Sequence, residues 1–242
     1  MCQASQENEH HHHDLEHDHK HHHHEHENGC QHEEDYISIL RLGEKAPHFH
    51  VLTTMGEKML NDYSGQWLVL FSYNADFAPV SASELMDFAK YHEQFKALDA
   101  EILATSLYGL NSHIAWVLSL LDKTGIKINF PIAADVDGSL AMEYSMICEE
   151  ENAYQTARCL YIIDDKQTVR YISYYPAEVG RSAAEVLRVL RALKKFDGSK
   201  MAAQAAWQEG DKGLMLAPTT VEEALATAAD KNNIDWYFSF KD

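Results

Sequence analysis

Apolar residues along this chain fall into short unbroken runs separated by stretches with helical spacing. Residues 67–73 (WLVLFSY) and 101–107 (EILATSL) read as strands, because runs with so little polar alternation leave no face for water. Between them, residues 82–98 carry Leu85, Phe88, Ala89, His92, Phe95 and Ala97 near one stripe, the spacing of an amphipathic helix, with Ser81 as its N-cap. Residues 111–122 predict a second helix capped by Asn111 or Ser112, and residues 130–133 a short strand before a helix at 139–144. Residues 51–54 and 58–60 form a hairpin pattern around Met55-Gly56, and residues 158–163 and 169–173 another around Asp165-Lys166. A long helix follows at 182–195 with a Ser182 cap. After Phe196 the chain turns small and polar until a helix at 221–229, capped by Thr219 or Thr220 behind Pro218. The terminal Trp236-Tyr237-Phe238 is aromatic and is expected to dock on another surface. No internal repeat interrupts this order, and alternating strands and helices imply an α/β domain whose central sheet is covered on both faces.

The first 35 residues break the pattern. They hold twelve histidines between His10 and His32 and almost nothing apolar. Such a segment cannot bury enough surface to offset the entropy of ordering it, so a disordered tail is expected over 1–35, a folded domain over 36–196 and an appended arm over 197–242. Formal net charge is −18 over 242 residues, and ten acids against one lysine place −9 of it in the tail. That balance disfavours nucleic acid and anionic membrane as partners. No apolar stretch is long enough for a membrane span, and a polar acidic N-terminus is unlike a secretory leader, so the expected location is the cytoplasm. Cys2, Cys30, Cys148 and Cys159 show no CxxC spacing and read as reduced thiols there.

Local motifs carry a specific likeness. LGEKAPHF at 42–49, YNADFAPVSASE at 73–84, SHIAW at 112–116, INFPIAAD at 128–135, ARCLYIID at 157–164 and VGRSAAEVLRVLRAL at 179–193 occur in one order. Together with Trp207-Gln208-Glu209-Gly210-Asp211 and Tyr237-Phe238, they resemble the typical two-cysteine peroxiredoxins of the alkyl hydroperoxide reductase C type. The resemblance covers roughly 40 to 242. It implies a thioredoxin-like fold with a central mixed sheet, helices on both faces and the family's elaborations, assembled as a homodimer or decameric ring. The family activity would be thiol-dependent peroxide reduction.

The departures gather where that chemistry belongs. The family's loop motif is proline, three residues, threonine, two residues, cysteine; here the three positions hold Asn74, Ala78 and Ser81. The stretch that would carry the resolving cysteine, residues 202–207, has none. Of the core set, Arg158 and Glu84 remain. Peroxide reduction needs a thiolate that becomes a sulfenic acid, and an alcohol has no comparable oxidation state to enter. Arg158 reads either as an anion site beside Ser81 or as a structural ion pair with Glu84. Cys148 and Cys159 are the alternative thiols. Cys159 follows Arg158 on a strand and should face the opposite side of the sheet, and Cys148 sits among glutamates that disfavour a thiolate.

The tail supplies the other chemistry. His10, His11, His12, His13, His17, His19, His21, His22, His23, His24, His26 and His32, with Cys30 and interleaved carboxylates, are donors suited to Zn²⁺ or Ni²⁺, and to Cu²⁺ or Co²⁺. Their irregular spacing predicts exchangeable binding rather than a fixed tetrahedral centre. No cofactor is expected on the folded domain. Three functions follow: a peroxiredoxin homologue without thiol peroxidase activity that binds divalent metal, an active peroxidase using a displaced cysteine, or a scaffold that co-assembles with an active paralogue.

Overall fold

The two unbroken apolar runs lie at the centre of the fold, as their lack of a polar face requires. The computed structural model describes residues 39–148 and 154–241. In chain order the strands and helices are β1 (His50–Thr53), β2 (Gly56–Met59), a 3₁₀ turn at Leu60–Tyr63, β3 (Trp67–Ser72), α1 (Pro79–Lys96), β4 (Ala100–Ser106), α2 (Leu110–Thr124), β5 (Ile132–Ala134) and α3 (Ser139–Glu143). There follow β6 (Arg158–Ile163), β7 (Val169–Tyr175), α4 (Ala183–Phe196), β8 (Met201–Ala202), β9 (Gly213–Met215), α5 (Val221–Ala229) and β10 (Phe240–Lys241).

One sheet of seven strands runs β2-β1-β5-β4-β3-β6-β7. The β3/β4 and β4/β5 pairs are parallel; β3/β6 and β6/β7 are antiparallel, so the sheet is mixed as expected. Alternation along each strand sorts its side chains onto two cores. Val69 and Phe71 of β3 join Leu85 and Phe88 of α1, Trp116 of α2 and Leu187 of α4 on one face. Leu68 and Leu70 join Tyr144, Cys159, Tyr161 and the segment Leu40 to Val51 on the other.

Several expectations need correction. The helix read from 82 begins at Pro79 with Ala78 as N-cap, because proline's fixed φ starts the helix and its missing N–H costs nothing there. The next helix starts at Leu110 behind Gly109, so neither Asn111 nor Ser112 caps it. The polar stretch after Phe196 contains a small antiparallel sheet, β10-β9-β8, whose strands are too short to show any period. Trp236 and Tyr237 are 44% and 55% exposed, so within the chain itself they are not covered. The hairpin at Asp165-Lys166, and Ser182 and Thr220 as N-caps, stand where the sequence places them. Among the described residues, no helix is long and apolar enough to cross a membrane.

Ile102 on β4 is fully buried in the helix-covered core. Ile102→Ala is expected to lower unfolding stability by about 2–5 kcal/mol, read as a reduced urea midpoint with an unchanged slope.

Candidate functional site

The loop after β3 and the first turn of α1 carry the residues that the sequence singles out. Ala78 is extended and offers no side-chain cap, Pro79 occupies the first helical position, and Ser81 is therefore inside the first turn. The expected capping role of Ser81 is not observed. Its side chain is instead fully buried, and its Oγ accepts from Arg158 Nη1 at 3.2 Å. Phe77, just before the helix, has a φ of 60°, a left-handed conformation unusual for a bulky residue.

Glu84 lies one helical turn beyond Ser81, which puts both on one face of α1. Arg158 opens β6 and points to that face, as strand alternation requires, while Cys159 points to the other. The expected Glu84–Arg158 ion pair forms at 2.7 Å with both side chains almost wholly buried. A third residue completes it, and sequence reasoning missed it: Arg181, just ahead of α4. Its backbone N and Nε both donate to Glu84 Oε1 at 2.8 Å, and its Nη2 donates to Oε2 at 3.0 Å. The Glu84 carboxylate thus accepts four hydrogen bonds, all that its lone pairs allow. Arg181 also donates to the carbonyls of Cys159 and Ser72, at 2.6 and 2.7 Å, and stacks 5.0 Å over the Phe71 ring. The only hint in the sequence is an arginine placed immediately before a helix cap, which by itself predicts an exposed residue.

A second buried cluster backs the same loop. Asp76 and His113 meet with Nδ1 at 2.9 Å from both carboxylate oxygens, and the Tyr73 hydroxyl donates to Asp76 Oδ1 at 2.8 Å. His113 Nε2 faces the Ala133 carbonyl at 3.2 Å and must donate to it. Nδ1 then faces two acceptors, so either the ring holds both protons or Asp76 carries one. Burial, and then the charge of Asp76, hold the Tyr73 hydroxyl well above the ordinary tyrosine range. This pair bolts the loop to α2 through its first-turn histidine.

The remaining candidates lie in the loop, across the sheet or outside the described residues. Asn74 is 7% exposed, and its Oδ1 has no hydrogen-bond partner. Cys159 is fully buried in the core on the far side of the sheet, and Cys148 is partly buried against that same core. Cys30 and the twelve tail histidines lie outside the described residues. Among the described residues, no group of three or more histidine, cysteine, aspartate or glutamate side chains is placed to hold a metal ion.

A family model, that of the AhpC/TSA family, matches residues 42–172. The chain is 42% identical over 196 residues to peroxiredoxin 2 of Picrophilus torridus, covering 81% of this chain and 96% of that protein. It is 41% identical over 199 residues to a peroxiredoxin of Thermoplasma volcanium, covering 82% and 97%. Among solved structures it is similar to a yeast mitochondrial 1-Cys peroxiredoxin, with TM-score 0.75, 31% identity, and 84% of this chain and 99% of that one covered. A cysteine-to-serine mutant of peroxiredoxin 6 of Arenicola marina gives TM-score 0.70 and 30% identity over 77% of this chain and 88% of that one.

Removing the carboxylate charge leaves two buried guanidinium groups facing each other. Glu84→Gln is expected to destabilise the fold by about 3–5 kcal/mol, measured by urea unfolding.

Proposed function

The chain belongs to the AhpC/TSA family of peroxiredoxins, and from that premise we propose that it is a member without thiol peroxidase chemistry that binds divalent transition metal through residues 1–35. The observation that carries the first half is the group Arg158 addresses: a serine hydroxyl, 3.2 Å from Nη1, at the place where the family keeps its peroxidatic cysteine. Arginine stabilises an anion that forms by losing a proton, and a thiol does so near neutral pH. A serine hydroxyl does not, without an adjacent base. His113, which backs the loop from α2, is committed to Asp76 and to the Ala133 carbonyl, and His92 lies eleven residues further along α1, about 16 Å along the helix axis. The yeast relative is a 1-Cys peroxiredoxin whose thiol is resolved through glutathione and thioredoxin systems. In this chain Ser81, Ala78 and Asn74 replace the motif together, and Cys159 lies across the sheet, which speaks against a displaced peroxidatic thiol.

The second half rests on donor chemistry. Neutral imidazoles interleaved with carboxylates suit borderline divalent ions such as Zn²⁺ and Ni²⁺. Overlapping donor sets favour several exchangeable ions over one fixed centre. We take the assembly to be a homo-oligomer. Two features support this: β7 forms an edge of the seven-stranded sheet, and α5 buries none of its residues within the chain. Several tails on one particle would raise the local ligand concentration without any new contact.

Two outcomes test the reading. The purified chain, supplied with hydroperoxide and a dithiol reductant, is expected to consume no peroxide above the protein-free rate. Ser81→Cys is expected to gain at least one equivalent of reduction, the thiolate taking one peroxide oxygen to become a sulfenic acid and releasing an alcohol. Turnover by the unaltered chain at a rate typical of its relatives overturns the proposal. Equilibrium dialysis against zinc or nickel is expected to find metal bound to the full chain, lost on deleting residues 1–35. Binding should weaken below about pH 6, because imidazolium is no ligand.

A further inference from the structure

Away from Ser81, a surface cavity carries a charge opposite to that of the chain. It lies between the C-terminal half of α4 and the loop that leads into β9, with a volume of about 430 Å³. Small-molecule sites span about 300–1,000 Å³, so its size suits a small ligand rather than a folded partner. Arg191, Lys194 and Lys195 of α4 and Lys212 of the loop line it, against two carboxylates, Glu209 and Asp211. Residues 36–242 carry −9 in all, yet this lining holds two excess positive charges. Surface charge is screened over about 8 Å at physiological salt, so the lining, and not the net charge of the chain, decides what the cavity attracts.

The carboxylates present leave that excess largely unanswered. Asp211 serves the loop itself, its Oδ2 accepting from the backbone N–H of Gln208 at 2.8 Å. Glu209 lies 3.2 Å from Arg191 Nε, but it is 69% exposed, and ion pairs so open to water contribute little. Lys194 donates to the Leu98 carbonyl and lies 3.8 Å from the exposed Asp99. Lys195, one residue on, is exposed and makes no hydrogen bond or ion pair among the described residues.

Beneath these cations the floor is apolar and already shaped. Leu98, Met201 and Trp207 line it. Trp207 is buried, and three contacts fix it. Its Nε1 donates to the Asp211 carbonyl at 3.0 Å, its own carbonyl accepts from Arg188 Nη1 at 3.1 Å, and its ring meets Phe196 edge-on at 5.4 Å. Gly213 permits this packing: a Cβ there would come within 2.5 Å of Met201 Cε and 2.6 Å of Phe196. A pocket held in shape before a ligand arrives loses less entropy on binding.

An apolar floor under a cationic rim selects a ligand with both characters. We infer that this cavity binds a small amphiphilic anion, a carboxylate or sulfonate on an apolar body of medium-chain or single-aromatic size. The head group meets Arg191, Lys195 and Lys212, and the body covers Leu98, Met201 and the indole edge of Trp207. A polyphosphate would meet an apolar floor and too few cations, and a neutral lipid would leave the rim unanswered. The site depends neither on Ser81 nor on the tail.

Octanoate is the probe, titrated calorimetrically into the full chain with EDTA present, alongside octanol and acetate. Saturable binding of one octanoate per chain is expected, with octanol and acetate about tenfold or more weaker. Amide NMR shifts on adding octanoate are expected to centre on residues 207–213 and the last turns of α4. Lys195→Glu combined with Lys212→Glu, both at exposed positions, is expected to weaken octanoate about tenfold or more, while Lys123→Glu on α2 leaves it unchanged. Equal binding by the double variant overturns the proposal, as do octanol bound as tightly as octanoate, amide shifts centred elsewhere, or no saturable binding at all. Should the double variant fail to fold, Lys195→Glu alone decides: weakened binding supports the site and unchanged binding refutes it. Neither peroxide turnover nor metal binding, which test the functional proposal, enters these readouts.

Discussion

One carboxylate holds the centre of this molecule together. Glu84 receives donors from Arg158 on β6 and from Arg181 ahead of α4, while Arg181 reaches back to carbonyls of β3 and β6. Two strands, the long helix and the entry to the last core helix thereby share a single set of charge-assisted bonds. Such a cluster is costly to bury, but once its partners are satisfied it tolerates few alternative arrangements. The first turn of α1, and with it Ser81, takes its position from this clamp.

That dependence changes how the surviving residues are read. Arg158 and Glu84 would accompany a reactive thiol in a working peroxidase, and their presence invites the conclusion that activity survives. The geometry supplies a simpler reason for their retention. Deleting Glu84 strands two guanidinium groups in the core, and deleting Arg158 leaves Glu84 Oε2 short of a buried donor, so folding alone selects for both. Ser81, Ala78 and Asn74 carry no such obligation. They sit in a loop whose backbone is fixed by Asp76 and His113 on one side and by the arginine clamp on the other. Substitution at these positions therefore leaves the clamp itself in place.

Most of the architecture was legible because it rests on periodicity. Unbroken apolar runs gave the central strands, and the stripe through Leu85, Phe88 and Phe95 gave the helix beneath them. Ser182 and Thr220 were legible as caps because a hydroxyl stands directly before each apolar repeat. Ser81 misled for the same reason: it also precedes a repeat, yet Pro79 had already begun the helix and turned the hydroxyl inward. Arg181 was illegible because nothing local distinguishes it from a solvated arginine. Its role comes from residues 97 positions away, and only the closed fold brings them together. The strands β8 to β10 were missed because two or three residues cannot display a period.

The electrostatics at two length scales point in opposite directions. The chain carries −18 overall, and with −9 in the first 35 residues the remainder carries −9 as well. A field of that sign repels anions from the surface and favours divalent cations, which agrees with the donor set of the tail. It does not govern the buried groups around Ser81. At physiological salt, surface charge is screened over about 8 Å, whereas groups withdrawn from water interact through a much weaker dielectric. The two guanidinium groups and one carboxylate around Ser81 lie within hydrogen-bonding distance of one another, so their imbalance outweighs distant surface carboxylates. The Ser81 hydroxyl, which Arg158 addresses at 3.2 Å, brings no charge to offset that imbalance.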